Sequence, residues 1–313
     1  MNSEPQPHHF KVHYKDLKLN RVVSQAKPRS GSWIEVVSES ESYLNNISAK
    51  LGLDPLVVID SLDMHEIPRI EDEPEALYIF TRVPSAPQGL TATRTLLLAI
   101  SPRFLVSVSA QPVATIQEVL TQDDVNTTQR TKLVIQLFRA LTRAYQKEVH
   151  QYSRQIGRLG NQISDISPRE INELVKYQMV FEDYLSALEP TNVILKQLLS
   201  GKYLRLFEVD KELVEDLFIA TSQLIEMCEA RVKRIASIRA AYETIASNAL
   251  NRTMKRLTAV TVILTLPTMI FSFYGMNVNL PFDEQPIFWL GLIFATAAIV
   301  YALSLVFRKK DLL

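Results

Sequence analysis

The chain has 313 residues with 34 basic and 34 acidic side chains, so its formal net charge is zero. This balance speaks against nucleic acid as a partner, because domains that bind nucleic acid usually carry a basic excess. A single cysteine, Cys228, excludes an intramolecular disulfide and is typical of a protein in a reducing compartment.

Residues 1–126 are predicted to form a cytoplasmic α/β domain. Runs rich in β-branched and aromatic residues predict strands at 10–14, 33–37, 76–83, 94–100 and 103–109. After the second run, "SESYLNNISAKLG" predicts a short helix with a serine cap and an end at Gly52, and "LDPLVVIDSL" predicts another. The N-terminal stretch lacks the apolar core of a secretory signal, so we expect this domain to stay in the cytoplasm.

Residues 127–256 are predicted to form long helices. The first of them has apolar residues at helical spacing and is expected to break near Gly157 and Gly160. The second begins at "SPRE", where Ser167 and Glu170 at a spacing of three predict a capping box.

The last long helix, the stalk helix, is predicted to start near Asp210. It meets no glycine or proline before Pro267, so it is expected to run about 55 residues toward an uncharged segment. A helix of this length must pack against a partner or a copy of itself.

Two uncharged segments predict a pair of membrane-spanning helices. Residues 257–274 and 287–307 carry no charge over 18 and 21 residues, and as helices they would rise about 27 and 31 Å. Both lengths match a hydrocarbon core of roughly 30 Å. We therefore predict transmembrane helices at 257–276 and 287–307, joined by an external loop at 277–286. The alternative is a buried helical hairpin in a soluble core.

Basic residues flank the two segments on one side. Arg252, Lys255 and Arg256 precede the first segment, and a basic tail at 308–313 follows the second, while the loop holds no Lys or Arg. By the positive-inside rule, both termini are cytoplasmic and the loop faces outward. These flanks disfavour the soluble hairpin and predict a multi-pass protein of the plasma membrane, with the lipid bilayer as a partner.

A polar stripe follows the first transmembrane segment. Steps of three and four residues connect Asn251, Met254, Thr258, Thr261, Thr265, Thr268, Ser272 and Gly275. This 3.5-residue repeat keeps one face toward a common axis in a left-handed bundle. One span cannot enclose water, so a pore lined by this stripe requires several copies of the chain. The alternative is that the hydroxyls bond their own backbone or allow close helix packing.

The motif "YGMN" closes the first of two C-terminal membrane helices, and the chain ends in the basic stretch "FRKKDLL". In this arrangement the chain resembles the CorA family of divalent-cation channels over its whole length. The resemblance implies a funnel-like homopentamer: an α+β cytoplasmic domain, a long stalk helix that continues as the pore-lining helix, and a second helix outside it. It implies a transporter and not an enzyme. The main ion would be Mg²⁺, with Co²⁺ and Ni²⁺ carried by many members.

The same resemblance assigns roles along the pore. Gly275, Met276 and Asn277 match the external selectivity motif, where a ring of Asn carbonyl oxygens would hold hydrated Mg²⁺ without stripping its water. Asn251, Met254 and Leu257 match a polar ring followed by an apolar constriction at the cytoplasmic end. For the two apolar residues, ordinary interhelical packing is the alternative.

Two positions in the middle of the membrane bear on this comparison. Thr265 stands where many relatives carry an apolar residue, so a second apolar constriction is not expected there. Pro267 is expected to kink or loosen the helix.

Regulatory Mg²⁺ is implied between subunits, on one acidic residue of the stalk and one of the α/β domain. Asp216 matches the stalk position, and its partner is expected among Asp72, Glu73 and Glu75, for which a solvated acidic loop is the alternative. Bound Mg²⁺ would favour a symmetric closed state. In the external loop, Asp283 and Glu284 would attract cations, with a solvated turn as the alternative.

Two other functions stay open at this point. His8, His9 and His13 hint at a transporter for softer ions such as Zn²⁺, Co²⁺ or Ni²⁺, although an N-terminus without fixed structure is the favoured interpretation, and the intact Gly-Met-Asn favours Mg²⁺. A membrane-anchored cytoplasmic scaffold is the alternative from another class, and it assigns no role to the polar stripe. No phosphate-binding loop or nucleophile elbow appears in the sequence.

Overall fold

A computed structural model of the chain describes residues 8–16, 21–88, 91–122, 124–160, 166–276 and 286–309. The chain divides into two compact units, Met1–Ile238 and Arg239–Leu313. The boundary between the units falls inside one long helix.

The first unit contains a seven-stranded sheet. Its strands are β1 (His9–Asp16), β2 (Arg21–Gln25), β3 (Ser32–Val37), β4 (Arg69–Asp72), β5 (Leu77–Gln88), β6 (Thr91–Ile100) and β7 (Phe104–Ser109). The spatial order is β2-β1-β3-β7-β6-β5-β4, and all neighbours are antiparallel except β3 and β7. All five predicted strands are confirmed, while the two edge strands, β2 and β4, were missed. These edge strands are only partly buried, so their apolar signal is weak.

The centre of the sheet is covered on both faces. Every residue of β3 and of β7 is buried. Successive side chains of a strand point to opposite faces, so Trp33 packs into one apolar core and Ile34 into another. Helices therefore cover both faces of the sheet, which confirms the predicted α/β composition of this part of the chain.

Seven α-helices and one 3-10 helix, Asp60–Leu62, are described. The α-helices are α1 (Glu41–Leu51), α2 (Pro55–Ile59), α3 (Ala114–Leu120), α4 (Arg130–Gly160), α5 (Pro168–Leu199), α6 (Glu208–Tyr274) and α7 (Pro286–Lys309). The predicted ends of α1 are confirmed: Ser40 accepts a hydrogen bond from the Tyr43 amide, and Gly52 takes the left-handed conformation with φ of 70°. The short helix α3 was not predicted.

The capping box of α5 is confirmed. The Ser167 hydroxyl accepts from the Glu170 amide at 3.3 Å, and the Glu170 carboxylate accepts from the Ser167 amide at 2.8 Å. Hydrogen bonds from the Ser167 backbone and hydroxyl lower the pKa of this exposed carboxyl.

The break predicted near Gly157 and Gly160 is confirmed at the second of these glycines. Helix α4 continues through Gly157 and ends at Gly160. A single glycine costs a helix only about 1 kcal/mol relative to alanine, so one such position does not end a well-packed helix.

Helix α6 is longer than predicted, with 67 residues. It begins at Glu208 and passes through Pro267 to Tyr274. The proline removes one backbone donor but does not end the helix.

The expectation of an N-terminus without fixed structure is wrong for residues 8–16. His9 and His13 lie in β1, and the His13 ring nitrogen Nε2 lies 3.3 Å from the Glu35 carboxylate. His8 stacks on the Tyr43 ring at 4.3 Å between centroids. Pairing of β1 with β2 and β3 orders this segment, in agreement with the strand predicted at 10–14.

Candidate functional site

The polar stripe forms one exposed face of α6. All eight positions from Asn251 to Gly275 are exposed in the single chain. At about 100° per residue, the opposite face carries Ala259, which is 3% exposed, and the partly buried Ile263 and Ile270. At the end of this opposite face, the Tyr274 ring contacts Phe288 and Trp289 of α7 at 5.3 and 6.0 Å between centroids. The stripe therefore faces away from α7.

The threonine hydroxyls of the stripe bond to their own helix. Thr258 donates to the Met254 carbonyl at 2.9 Å, Thr261 to the Leu257 carbonyl at 2.9 Å, and Thr265 to the Thr261 carbonyl at 2.7 Å. Thr268 donates to the Leu264 carbonyl at 3.0 Å. A hydroxyl has one donor and two acceptor lone pairs. With each proton directed to the backbone, the oxygens can still accept hydrogen bonds, as the outward hydrogens of a hydrated cation require.

Two exposed apolar side chains lie at the start of the stripe. Met254 and Leu257 are 54% and 61% exposed, and they follow Asn251 by three and six residues. Exposed apolar side chains are favourable where lipid or a copy of the chain covers them. A ring of such side chains can close a pore by excluding water.

The tripeptide motif lies at the end of α6. The Gly275 amide donates to the Phe271 carbonyl at 2.9 Å, and a Cβ atom at this position would lie 3.2 Å from that oxygen. Glycine therefore permits a close turn of the backbone here. Met276 is exposed. Asn277, Asp283 and Glu284 lie outside the described residues.

Asp216, the predicted regulatory residue on α6, is exposed and lines a cavity of about 330 Å³ between α4 and α6. Three cations of α4 line the same cavity: Lys132, Arg139 and Arg143. None of the three forms an ion pair within the described part of the chain. The surroundings of Asp216 within one chain are therefore basic, and sequence reasoning missed this. The spacings of seven and four along α4 place the cations on one helix face and could have indicated it.

The other predicted regulatory acids lie at the turn between β4 and β5. Asp72 is the last residue of β4, and Glu73 and Glu75 lie on the exposed turn, where the Glu73 amide donates to the Ala76 carbonyl at 3.2 Å. Within the described ranges, no group of three or more His, Cys, Asp or Glu side chains could hold a metal ion. The predicted regulatory site needs an acid from a second chain and stays a prediction.

A buried ion pair holds α5 against the sheet, and the sequence did not predict it. Arg82 of β5 and Asp183 of α5 approach to 2.7 Å, with side chains 4% and 11% exposed. Asp183 also accepts from the Ala92 amide at 2.6 Å and from the Thr93 hydroxyl at 3.0 Å. The Tyr145 hydroxyl donates to the Arg82 carbonyl at 2.9 Å, and burial raises the pKa of Tyr145.

Comparisons with known proteins bear on this arrangement. The family model described as "CorA-like Mg2+ transporter protein" matches residues 29–309. The chain is 25% identical over 294 residues to a cobalt/magnesium transport protein CorA of Methanocaldococcus jannaschii, a match that covers 89% of this chain and 90% of that relative.

Solved structures share the fold. The complete CorA magnesium transporter from Methanocaldococcus jannaschii superposes with a TM-score of 0.81 at 22% identity, covering 99% of each chain. The full-length CmaX protein gives a TM-score of 0.73 at 17% identity, again covering 99% of each chain. The ZntB cytoplasmic domain from Vibrio parahaemolyticus gives a TM-score of 0.61 at 9% identity, and the match covers 76% of this chain and 98% of that domain.

Proposed function

This chain belongs to the CorA family of Mg²⁺ transporter proteins, and from that premise we propose that it is a homopentameric channel that conducts Mg²⁺ into the cytoplasm. As a member of a transporter family with two helices long and apolar enough to cross a bilayer, it is a membrane protein. The observation that carries the proposal is the exposed polar stripe of α6, which faces away from α7. Copies of α6 around an axis would bring their stripes together and leave α7 outside.

The stripe suits an ion that keeps its water. Mg²⁺ dehydrates reluctantly, so its water shell is what a pore wall meets. Water on a cation presents hydrogens outward, and Thr258, Thr261 and Thr265 offer acceptor oxygens because their own protons are bound to the backbone. We assign Thr268 and Ser272 to the same wall.

The inner and outer ends of the proposed ion path differ in the side chains that line them. At the inner end, rings of Met254 and Leu257 above Asn251 would form a gate that closes by excluding water. At the outer end, Gly275, Met276 and Asn277 would form the selectivity ring. Asp283 and Glu284 would raise the local cation concentration at the mouth.

The membrane potential supplies the driving force in this proposal. It contributes about 2.3 kcal/mol per charge per 100 mV, and hence about 4.6 kcal/mol for a divalent ion. We place both termini in the cytoplasm, because Arg252, Lys255 and Arg256 precede the first span.

Replacement of Asn277 by alanine tests the selectivity ring. Loss of the amide oxygens should lower Mg²⁺ flux into liposomes at least tenfold, because the hydrated ion loses its ligands at the mouth. The flux of Mg²⁺ and of Ni²⁺ is measured with purified protein. Asn279→Ala removes an equivalent amide two residues further along the same loop and should keep its flux. Undiminished Mg²⁺ flux in Asn277→Ala would refute the proposed ring.

We also propose that cytoplasmic Mg²⁺ closes the channel by binding between subunits at Asp216. The neighbouring chain would contribute an acid from Asp72, Glu73 and Glu75. Lys132, Arg139 and Arg143 lie around the same cavity, and their charge opposes a divalent ion. The affinity for regulatory Mg²⁺ should therefore be lower than that of a purely acidic site.

Limited proteolysis with and without Mg²⁺ tests this regulation. Wild-type protein should resist cleavage more strongly in Mg²⁺, and Asp216→Ala should lose most of that gain because one of the two carboxylates is gone. Glu215→Ala changes the adjacent exposed carboxylate and should retain the gain. Equal Mg²⁺ protection in wild type and Asp216→Ala would exclude Asp216 as the sensor.

Cobalt is a second candidate ion. The Methanocaldococcus relative is named a cobalt/magnesium transport protein, and it aligns with most of this chain. We propose that Co²⁺ follows the same path, and Ni²⁺ by similar chemistry. The histidine cluster does not favour a zinc transporter, because His8 and His13 each contact partners in the sheet domain. Membership of a transporter family disfavours the scaffold hypothesis.

A further inference from the structure

We propose that five cations at one end of the hairpin formed by α6 and α7 bind the phosphate group of an anionic membrane lipid. This basic cluster consists of Arg252, Lys255 and Arg256 of α6 with Arg308 and Lys309 of α7. The inference goes beyond the proposed ion path and depends on the membrane placement of the two helices, not on the ion that is carried.

The hairpin brings the five cations to one level. Tyr274 contacts Phe288 and Trp289 at the other end of the hairpin. From that contact, the α6 cations lie 18 to 22 residues back, and the α7 cations lie 20 to 21 residues forward. At 1.5 Å per residue these separations are about 27–33 Å and about 30–32 Å. The cluster thus lies one hydrocarbon thickness from the aromatic end, at a membrane boundary.

The exposure pattern along the two helices indicates that they pack side by side. Along α7 a continuous series of less exposed residues consists of Phe288, Leu292, Thr296, Val300 and Phe307. Along α6 the corresponding series runs from Ala259 to Tyr274. This packing keeps the basic ends of the helices together.

The α6 cations face the α7 side and not the polar stripe. Arg252 and Arg256 precede the buried Ala259 by seven and three residues, spacings that share one helix face. At about 100° per residue, the centre of the polar stripe lies on nearly the opposite face of α6 from these cations. The cluster is therefore outside the proposed ion path, where its charge would otherwise repel Mg²⁺.

The described residues of the second unit place almost no counter-charge near the cluster. In the described residues of the second unit the single carboxylate is Glu243, nine residues before Arg252. None of the five cations forms an ion pair with a described residue. Like charges held together at a low-dielectric boundary repel one another and favour an anion between them. The bilayer supplies lipid phosphates at this level, and an arginine binds phosphate through two parallel N–H donors.

Lipid retention by the full-length protein, measured by native mass spectrometry, tests the proposal. Protein purified with phosphatidylglycerol and phosphatidylcholine in equal amounts should retain the anionic lipid preferentially. Each basic residue near an anionic surface contributes a roughly fivefold preference, so Arg252→Gln with Arg256→Gln should weaken retention about 25-fold. The matched control is Lys50→Gln with Lys176→Gln, which removes two exposed cations of the first unit and should behave as wild type.

Several results would overturn the inference. One is equal retention of phosphatidylglycerol by wild type and the double variant. Another is full displacement of the lipid by millimolar inorganic phosphate, which would identify a site for soluble anions. If the α6 variant does not fold, Arg308→Gln with Lys309→Gln must show the same loss. Mg²⁺ flux in phosphatidylcholine liposomes reports the proposed function separately, so a conducting protein without lipid preference would refute this inference alone.

Discussion

The two units of the chain differ in the burial of their apolar side chains. In the first unit, Trp33, Tyr78 and Phe80 are fully buried in apolar cores on the two faces of the sheet. Among the described residues of the second unit, only Ala259 and Thr296 are buried, while large side chains such as Leu264 and Phe294 are exposed. The first unit therefore buries its large apolar side chains in its own cores. The second unit depends on lipid and on other copies of the chain to cover its apolar side chains.

The units also satisfy polar groups differently. The first unit pairs groups far apart in sequence, as in Arg82 with Asp183. In the second unit, hydroxyls such as those of Thr261 and Thr296 donate to the carbonyl four residues earlier in the same helix. A segment surrounded by hydrocarbon must form its hydrogen bonds internally, so its hydroxyl side chains donate to the backbone of their own helix.

The largest expected effect concerns the buried pair of the first unit. Asp183→Ala leaves the Arg82 charge buried without its partner, which should lower the free energy of unfolding by about 3–5 kcal/mol. Urea unfolding of detergent-solubilised protein, followed by pulse proteolysis, measures the change. Glu189→Ala, an exposed change on the same helix, should stay within about 0.5 kcal/mol of wild type.

A second variant separates charge burial from shape at this site. Arg82→Met combined with Asp183→Leu removes both charges and should recover part of the lost stability, while the Ala92 amide and the Thr93 hydroxyl still lose their acceptor. If Asp183→Ala lowers the free energy of unfolding no more than Glu189→Ala does, the stability of the first unit does not depend on this ion pair. The proposed difference between the two units in their polar groups would then be wrong.

An intermediate effect is expected on the stripe of the second unit. Thr261→Val with Thr265→Val preserves shape but removes two acceptor oxygens, each worth about 1 kcal/mol, so Mg²⁺ flux should fall roughly thirtyfold. Flux into liposomes measures the loss. Thr253→Val removes an exposed hydroxyl of the same helix away from the stripe and should have little effect. Equal flux in all three proteins would make the stripe a packing feature.

The smallest expected effect is the pH dependence of the α5 cap. Hydrogen bonds from Ser167 lower the pKa of Glu170 below its ordinary value of 4.5. The stabilisation is therefore present above pH 4.5 and is lost as the pH falls through the lower pKa of the folded state. Glu170→Gln should unfold slightly earlier than wild type at pH 7, and the difference should shrink as the pH falls below 4.5. A difference that grows toward low pH would contradict this sign.

The stripe and the cap of α5 were predicted from sequence because both depend on short spacings. The stripe repeats every three or four residues, and the capping box joins Ser167 to Glu170. The missed strands β2 and β4 lie at the edges of the sheet, where partial burial leaves little apolar periodicity. Of the two glycines at which a break in α4 was predicted, Gly160 ends the helix, while at Gly157 the packing of α4 outweighs the local helix-breaking tendency.

The sequence by itself determined the two membrane-length helices, the polar face of α6 and the family motif at its end, because each is read along one continuous segment. Tertiary structure decided that β3 pairs in parallel with β7, that Asp183 meets Arg82, and that Asp216 lies among the cations of α4. These contacts join residues tens of positions apart. Chain closure and the packing of whole elements select them, and no local pattern records that selection.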